Sequence, residues 1–360
     1  MTPLSKSSNA QADLRGTNLY RVAIVGAASL KGKEIADVLH ERNFPAVDIR
    51  LLDDDESLGQ LEAAGDEMSF IQSIRSEQFE RVDFAFFASD QRSTRNNWKA
   101  ARDLGDTIVD LSFALEEDAG ASVRSPWIER QTGQPIAPEL QPGPVVMAHP
   151  AATVLALLAL RGEKAGKVQR MVATVFEPAS ENGQKAMDEL HEQTVNLLSF
   201  QELPKTVFDI QVAFNLAARY GPHCEQRSDL SLERVSQRIR KHYRQIARGA
   251  VEPALQVLHA PVFHGHAFSV YLEMEKPVAL ADLSKALVGE HVVVSANPED
   301  SPTSVSAAGQ GDILVEIALD ANQKNGVWLW ATSDNLRIAA LTAVECAESL
   351  TASRPRGQIQ

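Results

Sequence analysis

Cysteine is scarce in this chain, with only Cys224 and Cys346 among 360 residues. The two lie far apart and in no metal-ligand spacing, which excludes a disulfide framework and a cysteine-based metal site. We therefore expect a reducing compartment, the cytoplasm, and no metal. Cys224 follows His223 in YGPHCEQRS and could be a displaced nucleophile, but packing is the favoured role for both thiols.

An excess of positive charge is also lacking. Lys and Arg number 35 against 48 Asp and Glu, and the formal net charge of -13 at pH 7 opposes nonspecific binding to nucleic acid or an anionic membrane. The basic residues of LERVSQRIRKHYRQIAR spread around a helix rather than forming one stripe. Neither a nucleic-acid partner nor a membrane partner is predicted.

Long apolar runs are absent as well. The strongest, residues 145–160, is interrupted by His149 and Pro150 and is too short to span a bilayer. Residues 1–17 are polar and lack the apolar stretch of a secretory signal, so they are expected to form a flexible arm. Neither export nor anchoring is predicted.

The segments that are present alternate between strands and helices in the first half of the chain. YRVAIVG, VDIRLLD, DFAFFASD and TIVDLSF are short apolar runs, and LKGKEIADVLHERNF and RSTRNNWKAARDLG have helical spacing. This order predicts an α/β fold with a doubly wound parallel sheet. The second half has longer, partly alternating strands, such as KVQRMVATVFEP and GVWLWATSD, which predict an α+β domain with a mixed sheet.

A glycine turn follows the first predicted strand. Gly26 and Gly32 bracket GAASLKG where a strand meets a helix, so backbone amides could approach a pyrophosphate, although Ser29 replaces the middle glycine of that pattern. An ordinary tight turn is the alternative.

An acidic loop, LLDDDES, follows the second predicted strand. Asp53 stands where an acid often accepts hydrogen bonds from an adenosine ribose, and the carboxylates around it would repel a 2′-phosphate. NAD is therefore favoured over NADP, with a solvated acidic loop as the alternative.

Histidines cluster in HAPVFHGH, residues 259–266. On an extended strand His264 and His266 would share one face, but no acidic or thiol ligand accompanies them, so no metal site is predicted. A histidine here is either structural or an acid/base at a cleft.

Alanines occupy the start of the helix behind Pro150. A Ser or Cys there would be a candidate nucleophile, because a helix N-terminus favours its anionic form. Ala151 and Ala152 offer no such group, and Thr153 is expected to cap the helix.

Five motifs together resemble the aspartate-semialdehyde dehydrogenase family, and within it most closely the Usg-type paralogues that lack the catalytic cysteine. They are YRVAIVGAASLKGKEI, IVDLSFALEED, QVAFNLAA, HAPVFHGHAFSV and SDNLRIAALTAV. The resemblance implies a Rossmann-like nucleotide-binding domain, a catalytic and dimerisation-type domain, and a homodimer. We expect an arm at 1–17, these two domains at 18–150 and 151–330, a last helix at 331–352 that returns to the first domain, and a tail at 353–360.

In active members of that family a cysteine thiolate attacks the aldehyde, a histidine manages the proton, hydride passes to NADP, and phosphate releases the acyl group. The resemblance places the cysteine position at Ala151, or at Ala152 if Pro150 is the anchor. The acid/base is retained as His266. The substrate-clamping arginine has become His259, and the active-site glutamine has become Glu177.

The other positions implied by the resemblance concern cofactor and anion binding. The arginine for the NADP phosphate corresponds to Glu56, while Ser57 persists beside it. Gly183 keeps part of a nicotinamide-side loop, and Asn335 matches a cofactor-contacting asparagine. On the basic helix, Arg234 is interpreted as an anion contact.

The departures fall on the nucleophile, the substrate clamp and the phosphate site, whereas the apolar strands remain regular. This pattern predicts a dimeric protein that binds a small-molecule ligand or regulates a partner, without thiol-dependent dehydrogenase activity. The alternative is an NAD(P)-dependent oxidoreductase acting on an aldehyde or related substrate by direct, non-covalent hydride transfer assisted by His266.

Overall fold

The computed structural model describes residues 19–64, 67–133, 143–225 and 230–351. The arm and tail expected at 1–17 and 353–360 lie outside the described residues. The first half of the chain contains strands β1 (Tyr20–Val25), β2 (Ala46–Asp53), β3 (Leu61–Ala64), β4 (Glu67–Phe70), β5 (Gln72–Ser73), β6 (Phe84–Phe87), β7 (Thr107–Asp110), β8 (Ser122–Arg124) and β9 (Val145–Met147). Its helices are α1 (Leu30–Glu41), α2 (Gln91–Asp103) and α3 (Pro126–Thr132).

Within the described ranges the second half adds six strands: β10 (Val168–Glu177), β11 (Pro253–His259), β12 (His266–Met274), β13 (Val292–Val294), β14 (Ile313–Leu319) and β15 (Gly326–Ser333). Its helices are α4 (Pro150–Ala165), α5 (Gln184–Leu198), α6 (Pro222–Glu225), α7 (Leu232–Ile246), α8 (Leu280–Leu287), α9 (Ser304–Ala307) and α10 (Asn335–Thr351). Of the helices in the described ranges, none is long and apolar enough to cross a membrane.

The first sheet has seven strands in the order β5-β2-β1-β6-β7-β9-β8, and its paired strands are parallel. The central strand β6 is buried along its whole length. This agrees with the continuous apolar run FAFF, because a parallel sheet is covered by helices on both faces. The predicted parallel α/β architecture is confirmed.

The second sheet has six strands in the order β11-β10-β12-β15-β14-β13 and is mixed, as predicted. Its strands alternate between buried and accessible residues, so one face joins the core and the other is open. The open face carries Val172, Trp328 and Trp330, whose exposed fractions are 41%, 45% and 36%.

Helix α4 connects the two sheets and is buried over almost its whole length. Helix α10 packs against α1, where Arg337 forms an ion pair with Glu34 at 2.9 Å, and Arg42, just after α1, pairs with Glu348 at 2.7 Å. The sheets are built from residues 20–147 and 168–333. The exact domain bounds remain a prediction.

One local expectation, the Thr153 cap, was wrong, and the extended geometry considered for His264 and His266 does not occur. The cap of α4 is His149, whose Nδ1 accepts the amide of Ala151, whereas the hydroxyl of Thr153 donates to Ser125 Oγ at 3.1 Å. The segment 259–266 is not one extended strand, because β11 ends at its first histidine and a left-handed residue, Gly265 with φ 86°, precedes β12. His264 and His266 therefore do not share a strand face.

Candidate ligand-binding cavity

A cavity of about 240 Å³ lies beyond the carboxyl ends of the parallel strands. Its walls come from segments 29–31, 88–91 and 111–113, which follow β1, β6 and β7, and from positions 149, 177, 180–183, 230, 235 and 238. Open parallel sheets place their ligand sites at this edge. The cavity is therefore our candidate functional site.

Close packing explains the glycine turn at the edge of the cavity. A Cβ on Gly32 would lie 2.1 Å from the carbonyl oxygen of Gly26, and Gly26 itself has φ 85° and lies against Ser89. Ser29, at the place of the missing middle glycine, caps α1 by accepting the amide of Gly32 at 3.0 Å and donates to the carbonyl of Ala88 at 3.0 Å. The turn thus places the first residues of α1, Leu30 and Lys31, in the cavity wall.

Asp53 supports this turn from the second strand. One carboxylate oxygen accepts the amide of Ala28 at 2.8 Å, and the other accepts the amide of Asp54 at 2.8 Å. Ser57 lies in a short 3-10 helix and is half-buried, and Glu56 beside it is exposed. Within the described part of the chain, neither Asp53 nor Ser57 lines the cavity.

The start of α4 carries no nucleophile. Ala151 and Ala152 are fully buried. Cys224 and Cys346 are buried in α6 and α10, and neither belongs to the described lining of the cavity. Burial raises the pKa of Cys346 to about 12, which makes its thiol inert at neutral pH.

His149 is a cavity residue that the sequence analysis missed. Because its Nδ1 accepts the amide of Ala151 at 3.2 Å, the proton of the neutral ring lies on Nε2. The ring stacks on Phe113 and lies 5.7 Å from the ring of His266, centroid to centroid. Burial holds the pKa of His149 well below its usual value. The only signal in the sequence was a His-Pro pair ahead of the helix.

His266 lies behind His149 rather than in the cavity wall. It is fully buried, and neither ring nitrogen has a hydrogen-bond partner among the described residues. Burial lowers its pKa to about 4, although the negative charge of Glu181 partly opposes this. His266 is therefore neutral across physiological pH.

Glu177 and His259 are register neighbours on the parallel strands β10 and β11. Both carboxylate oxygens of Glu177 are buried without a hydrogen-bond partner in the described structure, and the residue lines the cavity. Burial, with the nearby charge of Glu181, raises the pKa of Glu177 to about 8. His259 instead faces Tyr220, whose hydroxyl lies 3.1 Å from its Nδ1, and burial lowers its pKa to about 4.

Asn335, the first residue of α10, joins two segments beside the cavity. Its Oδ1 accepts the amide of Gly265 at 3.1 Å and the hydroxyl of Ser180 at 3.2 Å, and its Nδ2 donates to Glu181 at 2.9 Å. Lys31 completes the cluster with an ion pair to Glu181 at 3.1 Å.

The carboxylate of Glu181 remains ionised. Burial alone would raise its pKa, but Lys31, His149, His266 and the hydrogen bond from Asn335 together outweigh that effect and hold the pKa well below the usual range. Gly183, in the cavity wall, adopts φ 82° and precedes α5.

The basic helix α7 presents Arg238 to the cavity, whereas Arg234 is exposed and is not part of the described lining. Arg238 pairs with Glu116 at 3.2 Å, and its guanidinium lies 4.9 Å from the centroid of Phe113. Burial would raise the pKa of Glu116, but His242 and Arg238 lower it to about 2. Helical spacing could have identified Arg238, because it lies one turn of α7 beyond Val235 and so on the same side of the helix. Val235 also lines the cavity.

A metal site is not supported by the geometry. Among the described residues no group of three or more His, Cys, Asp or Glu side chains could hold a metal ion.

Both halves of the chain match one family. Residues 21–142 match the NAD-binding domain of semialdehyde dehydrogenases, and residues 157–338 match their dimerisation domain. The chain belongs to the semialdehyde dehydrogenase family. The family resemblance inferred from the motifs is confirmed.

The similar proteins include both kinds that the motifs indicated, namely aspartate-semialdehyde dehydrogenases and USG-1 protein homologs. An aspartate-semialdehyde dehydrogenase of Rickettsia bellii is 29% identical over 93% of this chain and 98% of its own length. A USG-1 protein homolog of Pseudomonas aeruginosa is 31% identical over 91% of this chain and 97% of its own length. The similarity therefore extends across both domains in each case.

Solved structures show the same fold. A probable aspartate-semialdehyde dehydrogenase from Pseudomonas aeruginosa superposes with a TM-score of 0.81 at 28% identity, covering 92% of this chain and 98% of that one. The aspartate semialdehyde dehydrogenase II of Vibrio cholerae reaches a TM-score of 0.80 at 22% identity, with 93% and 98% coverage. At 22% identity, the similarity to the Vibrio cholerae structure supports the shared fold alone.

Proposed function

We propose that this protein is a noncatalytic member of the semialdehyde dehydrogenase family that binds a small molecule in the cavity and acts as a dimeric ligand-binding or regulatory paralogue. The observation that carries the proposal is the start of α4. Alanines occupy both candidate nucleophile positions there, and neither cysteine is found in the described lining of the cavity.

The loss of the thiol removes the covalent route entirely. A thiolate in the active relatives carries the acyl group between hydride transfer and its release by phosphate, and positioning alone cannot replace that carrier. Two further positions support the proposal. His259, at the position of the substrate-clamping arginine, contacts Tyr220 and has no guanidinium group for a bidentate contact. Glu177, at the position of the active-site glutamine, adds a carboxyl to the lining of the cavity.

The residues present fit a nicotinamide nucleotide, and we propose that NAD binds in preference to NADP if either binds. The close approach of Gly32 to Gly26 keeps the turn between β1 and α1 tight, and Leu30 and Lys31, at the start of the adjoining helix, line the cavity, where the helix N-terminus could receive a pyrophosphate. Glu56, with Asp53 nearby, would repel a 2′-phosphate. A bound cofactor would supply hydride chemistry or serve as the sensed ligand.

We also propose a homodimer in the cytoplasm. The open face of the second sheet exposes two tryptophans, which is unusual for a face that stays in water and typical of interface cores. That sheet lies within the region that matches the dimerisation domain. The chain has only two cysteines among 360 residues, which fits a reducing compartment better than a disulfide framework.

The second candidate function is direct hydride transfer to or from a carbonyl compound without a covalent intermediate. It is favoured by His149, whose Nε2–H is fixed at the cavity wall and could donate a hydrogen bond to a carbonyl oxygen. In this second candidate function, the ring of His266 packs against the ring of His149 and is not the acid itself.

The experiment is a steady-state assay of the purified protein with aspartate semialdehyde, phosphate, and NAD or NADP. We expect no cofactor reduction above the protein-free rate. A Cys224→Ser variant is the matched control for a displaced nucleophile and should behave like the wild type. Turnover of the wild-type protein at ordinary enzymatic rates would contradict the proposal.

A further inference from the structure

We propose that the cavity binds a ligand through a primary ammonium group, which forms an ion pair with the carboxylate of Glu177. The inference rests on the proposed function of the cavity as a ligand site, and it names the chemical class of that ligand.

Glu177 is an unsatisfied acid in a cavity wall. It ends β10, its side chain is completely buried, and neither oxygen has a hydrogen-bond partner in the described ranges. A buried polar group without a partner is costly, so native proteins rarely keep one unless a ligand or a reaction uses it. Glu177 is one of the residues that line the cavity, so a molecule bound there would lie beside it.

The other charged groups of the described cavity wall already have partners. Lys31 pairs with Glu181 at 3.1 Å, and Arg238 pairs with Glu116 at 3.2 Å. The carboxylate of Asp90 caps α2 by accepting the amides of Arg92 and Ser93. Glu177 is thus the group whose charge a ligand can balance, and a cation balances it.

An anionic ligand fits less well near this side chain. A carboxylate placed against Glu177 would add a further acid beside Glu181, whose ionised state is already held by Lys31. The neighbouring strands contribute His259 and His266, and the pKa of each is lowered to about 4, so both are neutral at pH 7. Neither histidine would offer an anion a charge.

Binding is coupled to a proton. Burial and Glu181 raise the pKa of Glu177 to about 8, against the lowering effects of Lys31, Arg238 and the nearby side chain of Asn182, so the carboxyl is mostly protonated at pH 7 before a ligand binds. An ammonium group stabilises the ionised form. The neutral acid and the ammonium ion become an ion pair, and one proton passes to the buffer.

The test is calorimetry at pH 7 with putrescine, γ-aminobutyrate and succinate, three four-carbon compounds that differ in their end groups. Repeating each titration in buffers of different ionisation enthalpy gives the number of protons exchanged. Putrescine and γ-aminobutyrate should bind with release of close to one proton, and succinate should not bind. The affinity for putrescine should rise by about tenfold between pH 6 and pH 7 and by about fivefold between pH 7 and pH 8, because the proton to be displaced is bound less fully as the pH approaches the pKa of Glu177, about 8.

Two variants separate the proposed contact from general effects. Glu177→Gln should weaken putrescine binding by about tenfold or more and abolish the proton release. Glu192→Gln, which changes an exposed acid on α5, should keep both. Equal binding by wild type and Glu177→Gln, or binding without proton release, would overturn the inference.

The remaining outcomes are also decisive. Succinate binding with proton uptake would overturn the ammonium assignment, because it would indicate a carboxyl–carboxylate pair at Glu177. Failure of both amines to bind overturns the inference but leaves the proposed function intact, since that function fails only if aspartate semialdehyde is turned over.

Discussion

At the scale of single residues, the cavity is defined by ionisable groups whose charge is set by burial. Glu177 is protonated near neutral pH, His266 and His259 are neutral, and Glu181 and Glu116 are ionised because cations lie beside them. An active site that relied on a thiolate would need a cysteine in this environment. The described wall has none.

The raised pKa of Glu177 predicts a pH-dependent cost to folding. The ordinary pKa is 4.5 and the pKa in the folded protein is about 8. The contribution of this carboxyl to the free energy of unfolding is therefore fully present below pH 4.5, and it is lost as the pH rises from there to about 8. Replacing Glu177 with Gln should therefore stabilise the protein relative to wild type by an amount that grows between pH 5 and pH 8, up to about 3 kcal/mol.

Denaturant unfolding of both proteins at four pH values in this range measures the effect. Glu192→Gln provides the control with an exposed carboxyl and should show a small, constant difference. A constant difference for Glu177→Gln as well would show that its carboxyl ionises normally in the folded state.

Sequence reasoning at this scale found the positions but not their contacts. Glu177 and the two alanines were identified by motif, yet His149 was seen only as an interruption of an apolar run. Its role depends on an amide two residues later and on ring contacts with Phe113 and His266, which come from other elements. Arg234 was preferred to Arg238 because the motif alignment does not show which side of α7 faces the cavity.

At the scale of elements, the turn between β1 and α1 sets the shape of the cavity edge. Gly32 lies inside α1, so its requirement is not a special backbone angle but space, since a Cβ would meet the carbonyl oxygen of Gly26 at 2.1 Å. We expect Gly32→Ala to destabilise the protein by about 2 kcal/mol, within the usual range for overpacking a tight site.

Thermal or denaturant unfolding measures this, and Asp37→Ala on the exposed side of the same helix is the matched control. The control should change stability little, because alanine is a good helix former. Equal stability of Gly32→Ala and wild type would mean that the helix start can move away from the strand, and that the turn is not constrained by this contact.

Some helices and strands could be predicted from the sequence, and others could not. β1, β6 and β10 stand out in the sequence because they are apolar over several consecutive or alternating positions. The strand β11 was missed, since PALQVLH is a short edge strand that begins at a proline, shows no polar alternation beyond Gln256 and ends in the histidine segment. The break at Gly265 depends on a left-handed backbone that alternation cannot reveal.

At the scale of the whole molecule, the exposed tryptophans on the second sheet predict a dimer interface. Trp328 lies in register between neighbours on β12 and β14, so a charge there would face a partner sheet directly. We expect Trp328→Glu to convert the dimer to monomers or to raise its dissociation constant by about a hundredfold or more. Sedimentation velocity over a range of concentrations would detect the change.

Leu104→Glu, at an exposed apolar position at the end of α2 in the first half of the chain, is the control and should leave the assembly unchanged. A wild-type protein that is monomeric at micromolar concentration would contradict the proposed homodimer outright. A dimer that survives Trp328→Glu would place the interface elsewhere.

The fold and the family were predictable because they depend on patterns spread over the chain, whereas the present use of the cavity depends on a few substituted side chains.

The most direct measurement is the intact mass of the protein after mixing with aspartate semialdehyde and NADP in the absence of phosphate. An acyl-thiol intermediate would accumulate under these conditions. Our account predicts an unchanged mass and no burst of reduced cofactor; an acyl adduct on a cysteine with one equivalent of reduced cofactor would contradict it.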